Sequence, residues 1–303
     1  MEASRVTPTT AASAWAVGGM RQVVADYAAL TKPKVQSLLL LTTVTTMYVA
    51  GDPSLGLVAL TCLGGYLSAG GAGAVNHYWD RDIDAQMART ASRPVPSGRI
   101  SPRAALSFGV LLGALSFLQL ALTVNLLSAF LALAGFLGYV FVYTMWLKRA
   151  TPQNIVIGGA AGAVPPLVGW AAVTGTLDPT ALYLFAIVFY WTPPHFWALS
   201  LLMKDEYARV GVPMMPVARG EKETRRQIVL YTVLLVVLTL LPYLFGMFGV
   251  IYAIAAIALG SVFTALSLRL QRDADRRAAL RTYLYSLGYL AALFCAMVVD
   301  VRL

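Results

Sequence analysis

The sequence is poor in the residues on which soluble enzymes and redox proteins depend. Its 303 residues include two cysteines and two histidines, and only 12% are charged while 58% are hydrophobic. Cys62 and Cys295 lie in apolar segments and indicate no disulfide framework. His77 and His195 are too few for an all-protein transition-metal site. A soluble fold is excluded as well, because it could not bury this much apolar surface.

What the sequence does contain is a series of apolar segments of about twenty residues, each long enough to cross a bilayer. They predict an all-α polytopic membrane protein, a bundle of transmembrane helices around a central cavity. Residues 1–34 are expected to form a cytoplasmic N-terminal segment, and residues 35–303 a single transmembrane domain. The nine predicted spans lie near residues 35–50, 55–75, 104–122, 126–147, 154–174, 180–203, 228–246, 249–268 and 283–300.

The basic residues predict the orientation of this bundle. Of the 23 lysines and arginines, all except Arg302 fall in the N-terminal tail or in the loops that follow even-numbered spans. By the positive-inside rule, the tail and those loops are cytoplasmic. The net charge of +9 is then explained by membrane orientation, and nucleic-acid binding is not indicated.

The most informative motif ends the second span. Asn76, Asp80 and Asp84 are spaced i, i+4, i+8, so their side chains share one face of a helix. Acids are costly at membrane depth and mark function there. Two carboxylates and an amide are a suitable site for a hard divalent cation, which in turn can hold a diphosphate.

Arginines follow the acids closely. Arg89 and Arg93 lie within ten residues of Asp84, and guanidinium groups bind phosphate oxygens in a bidentate manner. A solvated loop with local ion pairs is the alternative. The regular spacing of the acids at a membrane interface favours the phosphate site.

A second acidic cluster begins where the sixth span reaches the cytoplasm. Lys204, Asp205 and Glu206 lie on the same predicted side as the first cluster, so the two could form one cation-filled pocket. The alternative is a helix cap or a solvated turn.

Two further groups have both a functional and a structural interpretation. Tyr143, Lys148, Arg149 and Asn154 surround the fourth predicted loop and are candidate phosphate ligands, although a basic pair there is also an ordinary stop-transfer signal.

In the sixth span, His195 and Trp197 flank Phe196. His195 is a candidate haem ligand, or an interior histidine with a hydrogen-bond partner. For Trp197, the structural alternative to a functional role is core packing or a place in an interfacial aromatic belt.

Together these motifs resemble the UbiA-type intramembrane prenyltransferase superfamily. Asn76, Asp80 and Asp84 match its Asn-x-x-x-Asp-x-x-x-Asp motif. Its Arg-Thr-x-x-Arg-Pro element is matched at residues 89–94, and Thr31–Lys32–Pro33 also fits. Pro194–His195–Phe196–Trp197 and residues 211–216 resemble the haem-farnesylating branch. The chain departs from the wider superfamily at its second motif, where Arg209 replaces the acid four residues after Asp205.

The resemblance implies that farnesyl diphosphate and haem B are substrates, that Mg²⁺ is the cofactor and that haem O is the product. It also implies a multi-pass protein of the cell inner membrane, surrounded by lipid, with a haem A synthase acting downstream. The residues implied in catalysis are Asn76, Asp80, Asp84, Lys148 and Asp205. Those implied as metal ligands are Asn76, Asp80, Asp84 and Asp205. Those implied in substrate binding are Lys32, Arg89, Arg93, Tyr143, Arg149, Asn154, His195, Trp197 and Lys204.

Three alternatives stay open at this stage. A prenyltransferase of the same type could act on an aromatic acid or a quinone precursor. A secondary transporter would also have many spans and broken helices, although its charges would be expected near the midplane. A haem-delivery assembly factor would bind haem without needing a diphosphate site.

Overall fold

The computed structural model describes the backbone of residues 11–303 and the side chains of residues 19–303; the start of the predicted N-terminal segment, residues 1–10, lies outside the described part. The described chain is all-helical, which confirms the predicted fold class. Helices that do not cross the bundle are α1 (Ala11–Leu30), α4 (Arg81–Gln86), α10 (Lys204–Arg209) and α11 (Met215–Ala218). The long helices are α2 (Pro33–Ala50), α3 (Leu55–Trp79), α5 (Pro102–Thr123), α6 (Leu126–Ala150), α9 (Pro179–Leu202), α12 (Gly220–Leu244), α13 (Val250–Asp273) and α14 (Arg276–Arg302), together with the pair α7 (Asn154–Gly162) and α8 (Val164–Thr174).

Within residues 11–303, seven of these segments are long and apolar enough to cross a membrane. The other two predicted spans, 35–50 and 180–203, form the helices α2 and α9 but are not among the seven. The chain is therefore an integral membrane protein, while the count of nine spans and the cytoplasmic N-terminus stay predictions.

Local sequence explains where many of the helices begin. A side-chain oxygen of the residue before the helix accepts a hydrogen bond from a backbone N–H of its first turn, which satisfies one of the otherwise free donors there. Proline follows directly at the start of α5 and α9, where its fixed φ suits the first turn. The capping residues are Ser54, Ser101, Asn125, Asp178 and Asp275.

The prolines of the fifth and sixth spans behave differently. The fifth span is divided at Ala163, between α7 and α8, with Pro165 in the first turn of α8. The sixth runs through Pro193 and Pro194 as one continuous helix. Neighbouring helices can compensate for the hydrogen bonds that a proline removes.

Glycines bring α3 and α5 into direct backbone contact. A Cβ on Gly71 would lie 2.6 Å from the carbonyl oxygen of Gly109, so neither position accepts a side chain without separating the helices. Close packing through small residues is the usual interface between membrane helices, and α3 and α5 pack in this way.

Contacts between helix ends place basic residues at one end of the bundle. Arg276 donates to the carbonyl oxygen of Leu202 at 3.1 Å, which joins the start of α14 to the end of α9. Arg302 pairs with Asp52 at the far end. The candidate site lies at the basic end.

Candidate active site

The predicted acidic motif forms a buried cluster where α3 ends. Asn76 and Asp80 are 3% and 0% exposed, and the amide Nδ2 of Asn76 donates to Oδ2 of Asp80 at 2.6 Å. Helical backbone hydrogen bonds continue through the junction into α4, from Asp80 to Asn76 at 2.9 Å and from Asp84 to Asp80 at 2.8 Å. The i, i+4, i+8 spacing therefore keeps the three side chains on one side, as the sequence predicts.

Each member of this motif is paired with a cation from another part of the chain. Lys32 donates to Oδ1 of Asn76 at 2.6 Å, and Lys148 donates to Oδ2 of Asp80. The guanidinium of Arg93 donates to Oδ2 of Asp84 at 2.7 Å. Buried carboxylates require such compensation, because burial without it is costly.

The exposed rim of the cluster carries one more ion pair. Arg149 donates to both carboxylate oxygens of Asp82 at 2.7 Å and lies 3.6 Å from Oδ1 of Asp80. The hydrogen bonds from Arg149 lower the pKa of Asp82 to about 2. On the inner side, burial, assisted by the positive charge of Arg93, lowers the pKa of Lys32 to about 8.

A π-helical segment of α6, Gly138–Leu147, supplies polar groups that the sequence analysis missed. Tyr139 lies 3.4 Å from the ammonium of Lys32, and the hydroxyl of Thr144 accepts from Nδ2 of Asn76 at 3.2 Å. Residues five apart lie on one face of a π-helix, so Tyr139 and Thr144 face the cluster together. π-helical turns are common at functional sites, but periodicity in the sequence does not reveal them.

The donor set fits a hard divalent cation that also binds substrate. Oδ1 of Asp80 is buried and has no hydrogen-bond partner among the described residues. No three His, Cys, Asp or Glu side chains converge in the described part of the chain. A cation at Asp80 would therefore need the Asn76 amide oxygen, water or substrate oxygens to complete its shell, which is the coordination that Mg²⁺ prefers.

The second acidic cluster is split between surface and interior. Asp205 is exposed, whereas Glu206 is partly buried and its Oε2 has no hydrogen-bond partner within the described region. Lys204 pairs with Glu221 at 2.9 Å. Burial raises the pKa of the neighbouring Tyr207 to about 12. Of the two adjacent acids, Glu206 is the one turned inward, which the sequence alone could not distinguish.

Two predicted substrate contacts are engaged elsewhere in the fold. Nδ1 of His195 is hydrogen-bonded to the hydroxyl of Ser286 at 2.7 Å, and its ring stacks on Trp191 with centroids 4.2 Å apart. Trp197 is 1% exposed and packs edge-on against Tyr231.

The other three predicted substrate contacts lie in different surroundings. Asn154 is buried, and its Nδ2 donates to the carbonyl oxygen of Thr151 at 2.7 Å. Tyr143 packs against Gly158. Arg89 is exposed.

An apolar cavity of about 200 Å³ begins at Lys32 and Tyr139 and extends between α2, α3, α6 and the α7–α8 pair. Phe136 and Tyr139 are its aromatic lining residues, whereas Tyr143 and Trp197 lie outside it. Most of the remaining wall is aliphatic or lacks side-chain bulk. The small lining residues include Gly65, Ala69, Ala72, Gly73, Ala132 and Gly162.

Sequence comparisons agree on the type of protein. A protoheme IX farnesyltransferase of Roseiflexus sp. (strain RS-1) is 57% identical over 93% of this chain, which spans 53% of that relative. One of Symbiobacterium thermophilum is 56% identical over 92% of this chain and 95% of the relative. The chain thus spans about half the length of some curated relatives and nearly all of others.

Solved structures show the same fold at low sequence identity. A digeranylgeranylglyceryl phosphate synthase superposes with a TM-score of 0.76 at 19% identity, covering 92% of this chain and 99% of that one. A UbiA homolog from Archaeoglobus fulgidus, bound to GPP and Mg²⁺, gives a TM-score of 0.66 at 19% identity over 90% and 99%. The model of the UbiA prenyltransferase family matches residues 39–294. With the buried Asn-Asp-Asp cluster at the mouth of an apolar cavity, these matches show that the chain belongs to the UbiA prenyltransferase family.

Proposed function

We propose that this protein transfers the farnesyl group of farnesyl diphosphate to a vinyl group of haem B, with addition of water, and so forms haem O and diphosphate. The observation that carries the proposal is a buried cluster of acids and cations at one end of an apolar cavity. Relatives named protoheme IX farnesyltransferase, 52–57% identical to the chain, support haem B as the acceptor of the farnesyl group.

The cations of the cluster would bind the diphosphate. Lys32, Lys148 and Arg93 now neutralise the motif, each from a different segment of the chain. With a metal held by the acids, these cations would be available to donate to phosphate oxygens. Arg149 lies at the exposed rim beside them. Fixed positive groups stabilise the charge that develops on a leaving diphosphate.

Asn76, Asp80 and Asp84 would hold Mg²⁺. A bound Mg²⁺ supplies Lewis-acid neutralisation of the diphosphate oxygens. A metal-dependent reaction is also supported by the solved UbiA homolog bound to GPP and Mg²⁺. Asp205 remains a proposed ligand, although its exposure makes the adjacent Glu206 the better-placed carboxylate.

The cavity suits the isoprenoid chain. Heterolysis of the C1–O bond leaves the electron pair on diphosphate and an allylic cation on the farnesyl group. The outer vinyl carbon of haem then forms the new C–C bond, and water adds to the inner vinyl carbon with loss of a proton. Apolar walls keep bulk water from the first cation, and the faces of Tyr139 and Phe136 stabilise positive charge.

The remaining substrate contacts are proposed from the sequence. They are Arg89, Tyr143, Asn154, His195, Trp197 and Lys204. Because Nδ1 of His195 is bonded to Ser286, contact with haem iron would have to use Nε2. We further propose one transmembrane domain over residues 35–303, nine spans, a cell inner membrane location with the site on the cytoplasmic side, and a haem A synthase that uses the product.

Mass spectrometry of purified protein in lipid nanodiscs tests the function directly. Incubation with haem B, farnesyl diphosphate and Mg²⁺ should yield hydroxyethylfarnesyl haem and one diphosphate per product. A transporter or a haem-delivery factor would give neither product. Farnesylation of an aromatic acid or quinone precursor, with haem left unchanged, would instead identify the alternative acceptor.

A further inference from the structure

Two helical glycines in the cavity wall have no packing role. A Cβ on Gly162 would meet nothing within 4 Å, and one on Gly65 would meet only Leu40, at 3.9 Å. Neither has a positive φ. They differ from Gly71, whose Cβ would collide with the backbone of Gly109. Since glycine in a helix costs about 1 kcal/mol relative to alanine, their missing side chains are explained best by the space that they leave open.

Gly65 lies in the half of the cavity away from the acidic cluster, whereas Gly162 follows Ala161, which faces Gly138 beside Tyr139 at the mouth. Gly65 precedes Asn76 by eleven residues on α3, which corresponds to about 16 Å along the helix axis. Leu40, opposite Gly65, follows Lys32 by eight residues on α2, or about 12 Å. An extended farnesyl chain has a similar length, so its last isoprene unit would reach this level.

The far end of the cavity is closed by backbone contact. A Cβ on Gly169 would lie 2.5 Å from the carbonyl oxygen of Thr43, so α2 and α8 touch there. Thr43 and Val168, the residue before Gly169, are lining residues of the cavity. A chain that enters from the cluster and follows α3 therefore meets a floor just beyond Gly65.

The cavity also has a polar feature typical of a ligand site. Gln36 lines it one turn beyond Lys32, is 2% exposed, and donates from Nε2 to the carbonyl oxygens of Thr31 and Tyr66. Its Oε1 has no hydrogen-bond partner among the residues described. A buried oxygen without a partner requires an explanation, and a bound water or ligand beside it is one.

We infer that the open position at Gly65 holds the terminal isoprene unit of the donor and makes the cavity selective for the farnesyl chain over the geranyl chain. The inference rests on the proposed function, because it assigns the diphosphate end of the donor to the acidic cluster. A side chain at Gly65 would occupy the space of the last unit and leave room for a donor one unit shorter.

The test compares farnesyl and geranyl diphosphate in Gly65→Val. The ratio of kcat/KM for the two donors should fall at least about tenfold, because a difference of a single methylene group in an apolar pocket already discriminates by about 10-fold or more. Gly288→Val is the matched control: it adds the same group to an exposed helical glycine whose Cβ meets nothing within 4 Å. The control should keep the wild-type ratio.

Folding and function are separated by two further measurements. Gly65→Ala should unfold at or above the wild-type temperature and still lower the donor ratio, which covers the case in which the valine variant does not fold. Calorimetry with each diphosphate and Mg²⁺, in the absence of haem, measures the relative affinity for the two donors. An unchanged ratio in folded variants overturns the inference. Absence of haem farnesylation in the wild type, with a shifted binding ratio in the variants, would overturn the proposed function alone.

Discussion

At the scale of single residues, Asp80 is the centre of the site. It is fully buried, and its Oδ2 accepts from both Asn76 and Lys148, whereas Oδ1 has no hydrogen-bond partner in the described part of the chain. One carboxylate thus connects α3 and α6, while its second oxygen lies 3.6 Å from the guanidinium of Arg149 without a hydrogen bond. A buried network of this kind depends on every member, because losing one partner leaves the other uncompensated.

Asp80→Asn should lower kcat for farnesyl transfer by at least about 10²-fold, the usual cost of removing one group that stabilises developing charge. The variant keeps the size of the side chain but removes its negative charge. Initial rates in nanodiscs measure the effect. Asp273→Asn, which alters an exposed ion pair with Arg269, is the control. Near-normal activity in Asp80→Asn would refute its assignment as a metal ligand.

Asn76→Ala should raise the Mg²⁺ concentration needed for half-maximal activity by about tenfold or more, because one oxygen ligand is lost while both carboxylates remain. Activity is titrated with Mg²⁺ after chelation with EDTA, which should abolish it in both proteins. Asn125→Ala, at a helix cap distant in sequence from the site, serves for comparison. Identical Mg²⁺ curves for Asn76→Ala and wild type would exclude the amide as a ligand.

At the scale of elements, the loop that carries Arg93 is held in place by α1. Asp26 on α1 is 5% exposed and accepts from Nε of Arg99 at 3.0 and 3.1 Å, while the same guanidinium donates to the carbonyl oxygen of Ser92. Leu30 packs in the same apolar cluster as Val95. Through Arg99 and Val95, α1 therefore helps to position the loop that carries Arg93, a proposed phosphate ligand.

Asp26→Asn should raise KM for farnesyl diphosphate several-fold with little change in kcat, because the loop becomes less ordered while the reacting groups stay intact. A hydrogen-bonded charge pair of this type, partly exposed on the Arg99 side, contributes about 1–2 kcal/mol. Steady-state kinetics measure the changes in KM and kcat, and thermal unfolding measures the loss of stability. Asp26→Glu should restore most of the affinity. An equal loss in kcat would indicate a general folding defect instead.

The π-helical segment of α6 is a second element that shapes the site. By changing the number of residues per turn, it turns Tyr139 and Thr144 toward Asn76 and places Lys148 beside Asp80. A regular α-helix would give these side chains different directions. No hydrophobic pattern in the sequence marks this change, so the two polar groups could be found only in the structure.

At the scale of the whole molecule, the basic loops share one end of the bundle. Lys32, Asp80 and Lys148 lie at the ends of three different long helices and meet in one cluster, and Arg276 reaches the end of α9. The charge pattern in the sequence predicts this arrangement, because residues on one side of a membrane can meet and residues on opposite sides cannot.

Thiol labelling tests the predicted topology. After Cys62 and Cys295 are replaced by alanine, single cysteines at Ala85 and Ala208 should react with a membrane-impermeant reagent only from the cytoplasmic face. A cysteine at Thr176 should react only from the opposite face. Labelling is followed by mass shift in intact cells and in inverted vesicles. Reaction of the first two positions from different faces would exclude a shared pocket.

The proximity of Asn76 and Asp80 could be predicted from the sequence because short-range geometry determines it. Helical spacing places Asn76 and Asp80 together whatever the surroundings are. It could not distinguish Asp205 from Glu206, since adjacent residues differ only in how the short helix α10 is rotated. Nor could it distinguish a glycine that allows close packing, such as Gly71, from one that opens a cavity, such as Gly65, because that depends on what lies opposite.

The amino-acid sequence by itself determined that the chain is an all-helical membrane protein, with an acidic motif at a helix end and basic residues clustered in loops. These properties follow from local spacing and from the cost of placing charge in lipid. Only the tertiary structure decided which cation neutralises which acid, where the cavity runs and where it ends. Those contacts join residues far apart in the chain, and their partners are chosen by the packing of whole helices.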